Sequence, residues 1–171
     1  MRAHYRAHVR FRPDDDFAQR AAACDDSAPF VIPSVVEGQL KTIPLGAKGT
    51  FTLEVKPDHL ASRFKDATLP PVFSTPVMVM VMENAALNAI KAYLDPGESA
   101  VGTRVDVKHL AATPVGMHVT GEAEVTSVDG RRIEFTVRAK DEDELIGEGT
   151  HERMVVDVAR LAKRLETKAA R

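Results

Sequence analysis

Three polar residues stand where the surrounding sequence is apolar: Thr75, Glu83 and His109. Glu83 ends the run Val77-Met78-Val79-Met80-Val81-Met82, and His109 closes an alternating stretch that carries Val101, Thr103, Val105 and Val107. An ionised carboxylate in such a run is costly unless it is paired, hydrogen-bonded or open to a wet cleft. A carboxylate, an imidazole and a hydroxyl are also the parts that activate water or attack an acyl carbon. Each has a blander reading: Glu83 facing solvent through a gap, His109 as a satisfied core residue, Thr75 as a helix cap. Taken together, the three favour chemistry.

The elements that must hold them follow from pattern. Residues 74–94 read as one helix, with Thr75 capping free backbone N–H groups and Pro76 in the first turn, where its missing donor costs nothing. Asp95-Pro96-Gly97 stops it. About 18 residues make a rod of roughly 27 Å. The rod is apolar nearly all round at its start, so it must be buried on most sides. Thr75 and Glu83, eight positions apart on a regular helix, are then separated by about 12 Å axially and roughly 80° in azimuth. They do not touch. Either a substrate spans them, or the helix starts later, or residues of two protomers combine.

Strands surround this helix in sequence. Phe51, Leu53 and Val55 alternate with Thr50, Thr52 and Glu54, and residues 58–64 suit a short helix beginning at Asp58. After the long helix, residues 100–110 place Val101, Thr103, Val105, Val107 and His109 on one face. Residues 117–128 alternate Met117, Val119, Gly121, Ala123 and Val125 against polar neighbours, and Asp129-Gly130 signals a tight hairpin. Residues 131–140 alternate Ile133, Phe135, Val137 and Ala139, and 145–156 form the last strand. The pattern predicts an α+β domain at 46–157, an antiparallel sheet of about five strands wrapped around one long central helix. Residues 158–171 read as a charged C-terminal helix or tail. Residues 1–45 read as a poorly ordered extension: Arg-rich, then acidic, with one short strand pattern at 30–36 that nothing pairs. His4 and His8 have helical metal-ligand spacing but no third ligand nearby.

Composition removes several function classes. The 171-residue chain is one domain with a net charge of −2, so no basic face suggests nucleic acid. A single cysteine, Cys24, excludes an internal disulfide. No apolar run reaches the ~18 residues of a membrane span, and the start lacks a secretory leader, so a cytoplasmic location is expected. No Gly-x-Ser-x-Gly elbow occurs, and His109, His118, His151 and Glu83 make no recognisable metal spacing, so no metal is expected.

Specific motifs then carry a resemblance over residues 71–156. They are Met82-Glu83, Tyr93-Leu94-Asp95-Pro96-Gly97-Glu98, Gly102-Thr103, Ala111-Ala112-Thr113-Pro114, Gly130-Arg131-Arg132 and Gly149-Thr150-His151-Glu152-Arg153. On these the chain resembles the hot-dog-fold thioesterases of the fluoroacetyl-CoA thioesterase type. The resemblance implies a hot-dog fold and hydrolysis of a small acyl-CoA, with CoA part of the substrate and no separate cofactor. It places the family's catalytic Thr, Glu and His on Thr75, Glu83 and His109, and its substrate-contacting Gly and Arg on Gly102 and Arg153. It also implies a homodimer, or a dimer of dimers, with active sites at the subunit interface. The sequence departs from the family at its hydrophobic lid, where two phenylalanines are replaced by Asp66 and Leu69. Selectivity for a fluorinated acyl group therefore does not carry over with the rest.

The expected chemistry assigns Glu83 as nucleophile or general base, His109 to orient or protonate water or the departing thiolate, and Thr75 to position the carboxylate or the carbonyl oxygen. Arg153, or the pair Arg131-Arg132, would meet the CoA phosphates. Two rivals stand beside this reading. A hot-dog enoyl-CoA hydratase would need an Asp and a His on one loop, where only the adjacent Asp58-His59 occurs. A non-catalytic acyl-CoA-binding hot-dog protein would tolerate loss of Glu83 or His109, and both are present.

Overall fold

A computed structural model describes residues 42–170. The strand pattern at 30–36, His4 and His8 lie outside these residues. In order come β1 (Lys48–Glu54), a 3-10 turn (Pro57–His59), α1 (Ala61–Phe64), α2 (Thr75–Ile90) with a 3-10 turn at Lys91–Tyr93, β2 (Glu98–His109), β3 (His118–Asp129), β4 (Arg132–Lys140), β5 (Leu145–Asp157) and α3 (Val158–Ala169).

The strands form one antiparallel sheet in the order β1-β3-β4-β5-β2. This is the hot-dog arrangement, with α2 in the concave face. Val77, Met78, Val81, Met82, Ala85, Ala86, Ala89 and Ile90 of α2 are all buried. They meet the inner residues of β3 and β4, of which Ile133, Phe135, Val137 and Ala139 are fully enclosed. Truncating a residue such as Phe135 to Ala in a core like this costs about 3–5 kcal/mol. Helix and sheet approach closely because small residues face each other. A Cβ on Gly121 would lie 2.7 Å from the Val81 carbonyl oxygen. The α2 backbone could not sit there over a larger side chain.

Four local expectations are corrected. The helix expected at 58–64 is split, because Leu60 is extended and bridges Phe73 in a buried position. The face expected for β2 is broken by a bulge at Thr103, where Gly102 pairs with Arg153 but Arg104 already pairs with Glu152. Val101 and Thr103 therefore share the outer face, while Gly102, Val105, Val107 and His109 lie opposite the inward residues of β5. Ile43, inside the expected extension, is only 5% exposed and packs into the core, so the folded part begins before residue 46. Finally, Ser74 occupies the cap position of α2 and Thr75 is the first helical residue.

β1 and β2 are the two edges of the sheet. β2 is the more open, with Val101 and Val105 both about two-fifths exposed. At the other end, α3 is held by Asp157, whose carboxylate accepts from the Arg160 N–H at 2.8 Å.

Candidate active site

The first functional group sits where α2 begins. Ser74 caps the helix by backbone geometry alone, and its side chain makes no capping bond. Thr75 is therefore not consumed by the helix terminus. Its Oγ1 lies 3.0 Å from Nδ1 of His109, the last residue of β2. With the ring proton on Nε2, His109 accepts the Thr75 O–H at Nδ1. Burial pushes the imidazole below its ordinary range, partly opposed by the Ala111 backbone, so the ring is held neutral. Its Nε2 is enclosed and makes no hydrogen bond of good geometry. A cavity of about 360 Å³ opens beside this pair, walled by Lys65, Phe73, Pro76 and Leu110 as well as Thr75 and His109. A neutral base on an exposed hydroxyl in a cavity wall can move a proton or orient a polar ligand atom.

The second group lies two turns further along α2. Glu83 is 37% exposed at its side chain, which answers the cost of a carboxylate in an apolar run: it reaches a wet surface. Its Oε1 is 3.8 Å from Nη1 of Arg153 and 3.8 Å from Nε2 of His151. Gly102 of β2 packs on the carboxylate, and a Cβ there would run into Glu83 Oε1. Glycine at 102 is thus required by close approach. Arg153 is buried, donating from Nη2 to the Ala100 carbonyl at 2.6 Å and from Nη1 to the Glu83 carbonyl at 3.1 Å. Burial lowers its pKa and Glu83 opposes that, leaving the guanidinium cationic.

The five site residues expected from sequence therefore fall into two clusters. Thr75 and His109 form one; Glu83, Gly102 and Arg153 form the other. Among the described residues no hydrogen bond or ion pair joins the two. Arg153 is only 7% exposed and points inward beside the carboxylate. Arg131 is also committed, to Glu98 at 2.8 Å, and Arg132 lies 3.9 Å from Glu152. His151 was not among the expected site residues. It stands in the motif Gly149-Thr150-His151-Glu152-Arg153, two residues before Arg153, and that spacing puts both on the inner face of β5.

The curled antiparallel sheet around a buried helix defines a hot-dog fold, and the comparisons with known proteins make it that of a thioesterase, a thioester hydrolase. The sequence profile of the family described as fluoroacetyl-CoA-specific thioesterase matches residues 55–159, and the chain belongs to that family. The fluoroacetyl-CoA thioesterase of Streptantibioticus cattleyicolor is 45% identical over 102 residues, 60% of this chain and 73% of that protein. A solved structure of a fluoroacetyl-CoA thioesterase superposes with a TM-score of 0.71 at 38% identity, covering 74% of this chain and 98% of the other. A Thermus thermophilus member of the thioesterase superfamily gives a TM-score of 0.69 at 32% identity, covering 76% and 98%.

Proposed function

We propose that the chain hydrolyses the thioester of a short acyl-CoA at a site completed between two copies of itself. The observation that carries this is the separation of two reactive groups along one helix. The Thr75–His109 pair walls an open cavity, while Glu83 presents a carboxylate beside the open edge strand β2. Pairing β2 with its symmetry mate would hide an unpaired edge and bring Glu83 of one copy toward the Thr75–His109 pair of the other.

In this reading Glu83 takes a proton from water as it attacks the thioester carbonyl, or attacks the carbonyl itself to form a mixed anhydride that water then hydrolyses, releasing the acid and the free carboxylate. The C–S bond breaks as the tetrahedral intermediate collapses, and CoA leaves as a thiolate that takes up a proton. Thr75 and His109 hold the carbonyl or the attacking water, with backbone N–H groups at the start of α2 available to the oxyanion. Gly102 lets the substrate approach Glu83, and Arg153 holds that carboxylate's segment of helix in place. CoA enters as part of the substrate and leaves as product, and the reaction as proposed uses no separate cofactor.

The named relative is a fluoroacetyl-CoA thioesterase. Here the loop before α2 carries Asp66, turned onto Thr68, and a partly exposed Leu69. That loop lacks an aromatic lid, so the proposed substrates are small acyl-CoAs with no preference for fluorine. The hydratase reading is weakened by Asp58 and His59, which are engaged locally with Arg63 and with the Lys56 N–H. The test is thiol release from acetyl-, fluoroacetyl- and longer acyl-CoAs. Turnover of short acyl-CoAs with comparable kcat/KM for the first two supports the proposal. Binding of CoA esters without any thiol release would replace it with the non-catalytic reading.

A further inference from the structure

We infer that His151 is a positioning residue that keeps Arg153 off the Glu83 carboxylate, leaving that carboxylate available to the reaction. The inference rests on the reading of Glu83 as the reacting group.

His151 is 2% exposed and stacks on Phe135, with ring centroids 6.1 Å apart and an interplanar angle of 28°. Its Nδ1 lies 2.8 Å from the carbonyl oxygen of Arg104. A carbonyl only accepts, so Nδ1 carries the proton and donates it there. The lone pair is then on Nε2, which faces Nη1 of Arg153 at 3.2 Å. The bulge at Thr103 makes this arrangement, since it resets β2 just before Arg104 supplies its carbonyl to the ring.

Nη1 of Arg153, the guanidinium nitrogen that faces the carboxylate, has both its hydrogens engaged, and only the buried Nε is without a partner. Nη1 is shared between His151 Nε2 and the Glu83 backbone carbonyl, and Nη2 is held by Ala100. Guanidinium groups beside carboxylates ordinarily close into short, bidentate pairs. Here Oε1 stays 3.8 Å from Nη1, beyond hydrogen-bond distance. The cation contributes its field and withholds its grip. A carboxylate gripped by arginine would be a weaker base and nucleophile. The charged groups facing the His151 ring are Glu83 on α2 and Arg153 and Glu152 on β5; β2 offers the Arg104 carbonyl and β4 the Phe135 ring.

The test compares His151→Phe with His151→Gln in the full-length protein, following thiol release from acetyl-CoA across pH. Phe keeps the ring against Phe135 but loses both nitrogens. Gln restores an acceptor toward Arg153. The Phe variant is expected to lose about tenfold in kcat with KM within about twofold, as for groups that orient a reacting residue. The acid limb of its kcat profile should move to lower pH, because a guanidinium in contact keeps a carboxylate ionised further down. The Gln variant should recover most of the rate and the parent limb. A Phe variant with parent rate and parent limb overturns the inference. So do Phe and Gln variants that fall alike in stability and rate with the limb unmoved, the mark of a merely structural role. Should the Phe variant not fold, His151→Asn takes its place, keeping a donor for Arg104 but too short to accept from Arg153; an unmoved limb there also overturns it. Glu83→Gln run alongside separates the two readings. If it retains turnover, the assignment of Glu83 fails; if it is inactive while His151→Phe behaves as the parent, only the role of His151 fails.

Discussion

The two ends of α2's reactive face are built differently. At Thr75, a single hydrogen bond ties an exposed hydroxyl to a half-buried imidazole on a cavity wall. At Glu83, a half-exposed carboxylate is backed by a buried arginine and a buried histidine, both cross-braced to main-chain carbonyls of β2. The first is loosely held and able to adjust to a ligand. The second is fixed, because an unpaired buried cation would cost several kcal/mol and each guanidinium nitrogen of Arg153 but Nε has a partner. The contrast teaches where rigidity was needed. The carboxylate's surroundings are braced from several sides, while the Thr75 hydroxyl has one side-chain partner and is otherwise open to the cavity.

The largest effect is expected from removing charge at the rigid end. Glu83→Gln should lower kcat by about 10² or more while leaving thermal unfolding near the parent, since the side chain is half solvated. His109→Ala should cost a similar amount, and Thr75→Ser, which retains the hydroxyl, much less. Equal tolerance of all three would erase the distinction between the two ends. Next comes Gly102→Ala. Its methyl group would displace the Glu83 carboxylate, so kcat should fall about tenfold or more, with the sheet otherwise intact by circular dichroism. A parent-like rate would mean that the close approach at Gly102 has no bearing on Glu83.

A smaller effect links both ends through pH. Burial lowers the pKa of His109 and of His151, so each favours the neutral ring in the folded state. The unfolded chain takes up protons as pH falls through about 6.5, and the folded chain resists. Their contribution to stability is therefore fully present above that value and is lost as pH falls toward the lowered folded pKa. Urea midpoints should be level from pH 8 to 7 and decline below 6.5. A midpoint that rises on acidification through this window would contradict neutral, enclosed histidines. The smallest effect should come from removing residues 1–41, which leaves Ile43 in its core position. Melting temperature and acyl-CoA turnover should change little; a large fall in either would show that this segment supports the domain.

Much of the fold was legible because it rests on period. The alternation along β3 and β4 and the all-round apolarity of α2 accounted for about two-thirds of the buried apolar residues. What period cannot show is a break in itself. The bulge at Thr103 leaves no composition signal, so Val101 and Thr103 were expected on the face that Gly102 occupies. Leu60 reads as helical until its pairing with Phe73 is known, because a lone bridge depends on chain that is 13 positions away. The candidate site residues were chosen by residue type and family motif, and their division into two clusters was not legible. The distance along α2 made contact between Thr75 and Glu83 impossible, yet only coordinates show that Thr75 takes His109 and Glu83 takes Arg153. His151 stayed hidden for a related reason. Its role depends on a carbonyl turned inward by the bulge.

The central claim is that these two ends meet across two copies of the chain. Light scattering should first give twice the 18.7 kDa chain mass. Glu83→Gln and His109→Ala, each inactive alone, are then co-expressed in equal amounts with different tags. If sites are composite, each mixed dimer holds one site with Glu83 from one copy and Thr75–His109 from the other. Random pairing makes about half the dimers mixed, so the unsorted pool should regain about a quarter of parent turnover, and tag-purified mixed dimers about half. If each site is complete within one chain, mixed dimers carry one Gln-damaged and one Ala-damaged site. Their turnover would stay at the level of the single variants, and the composite site would be ruled out.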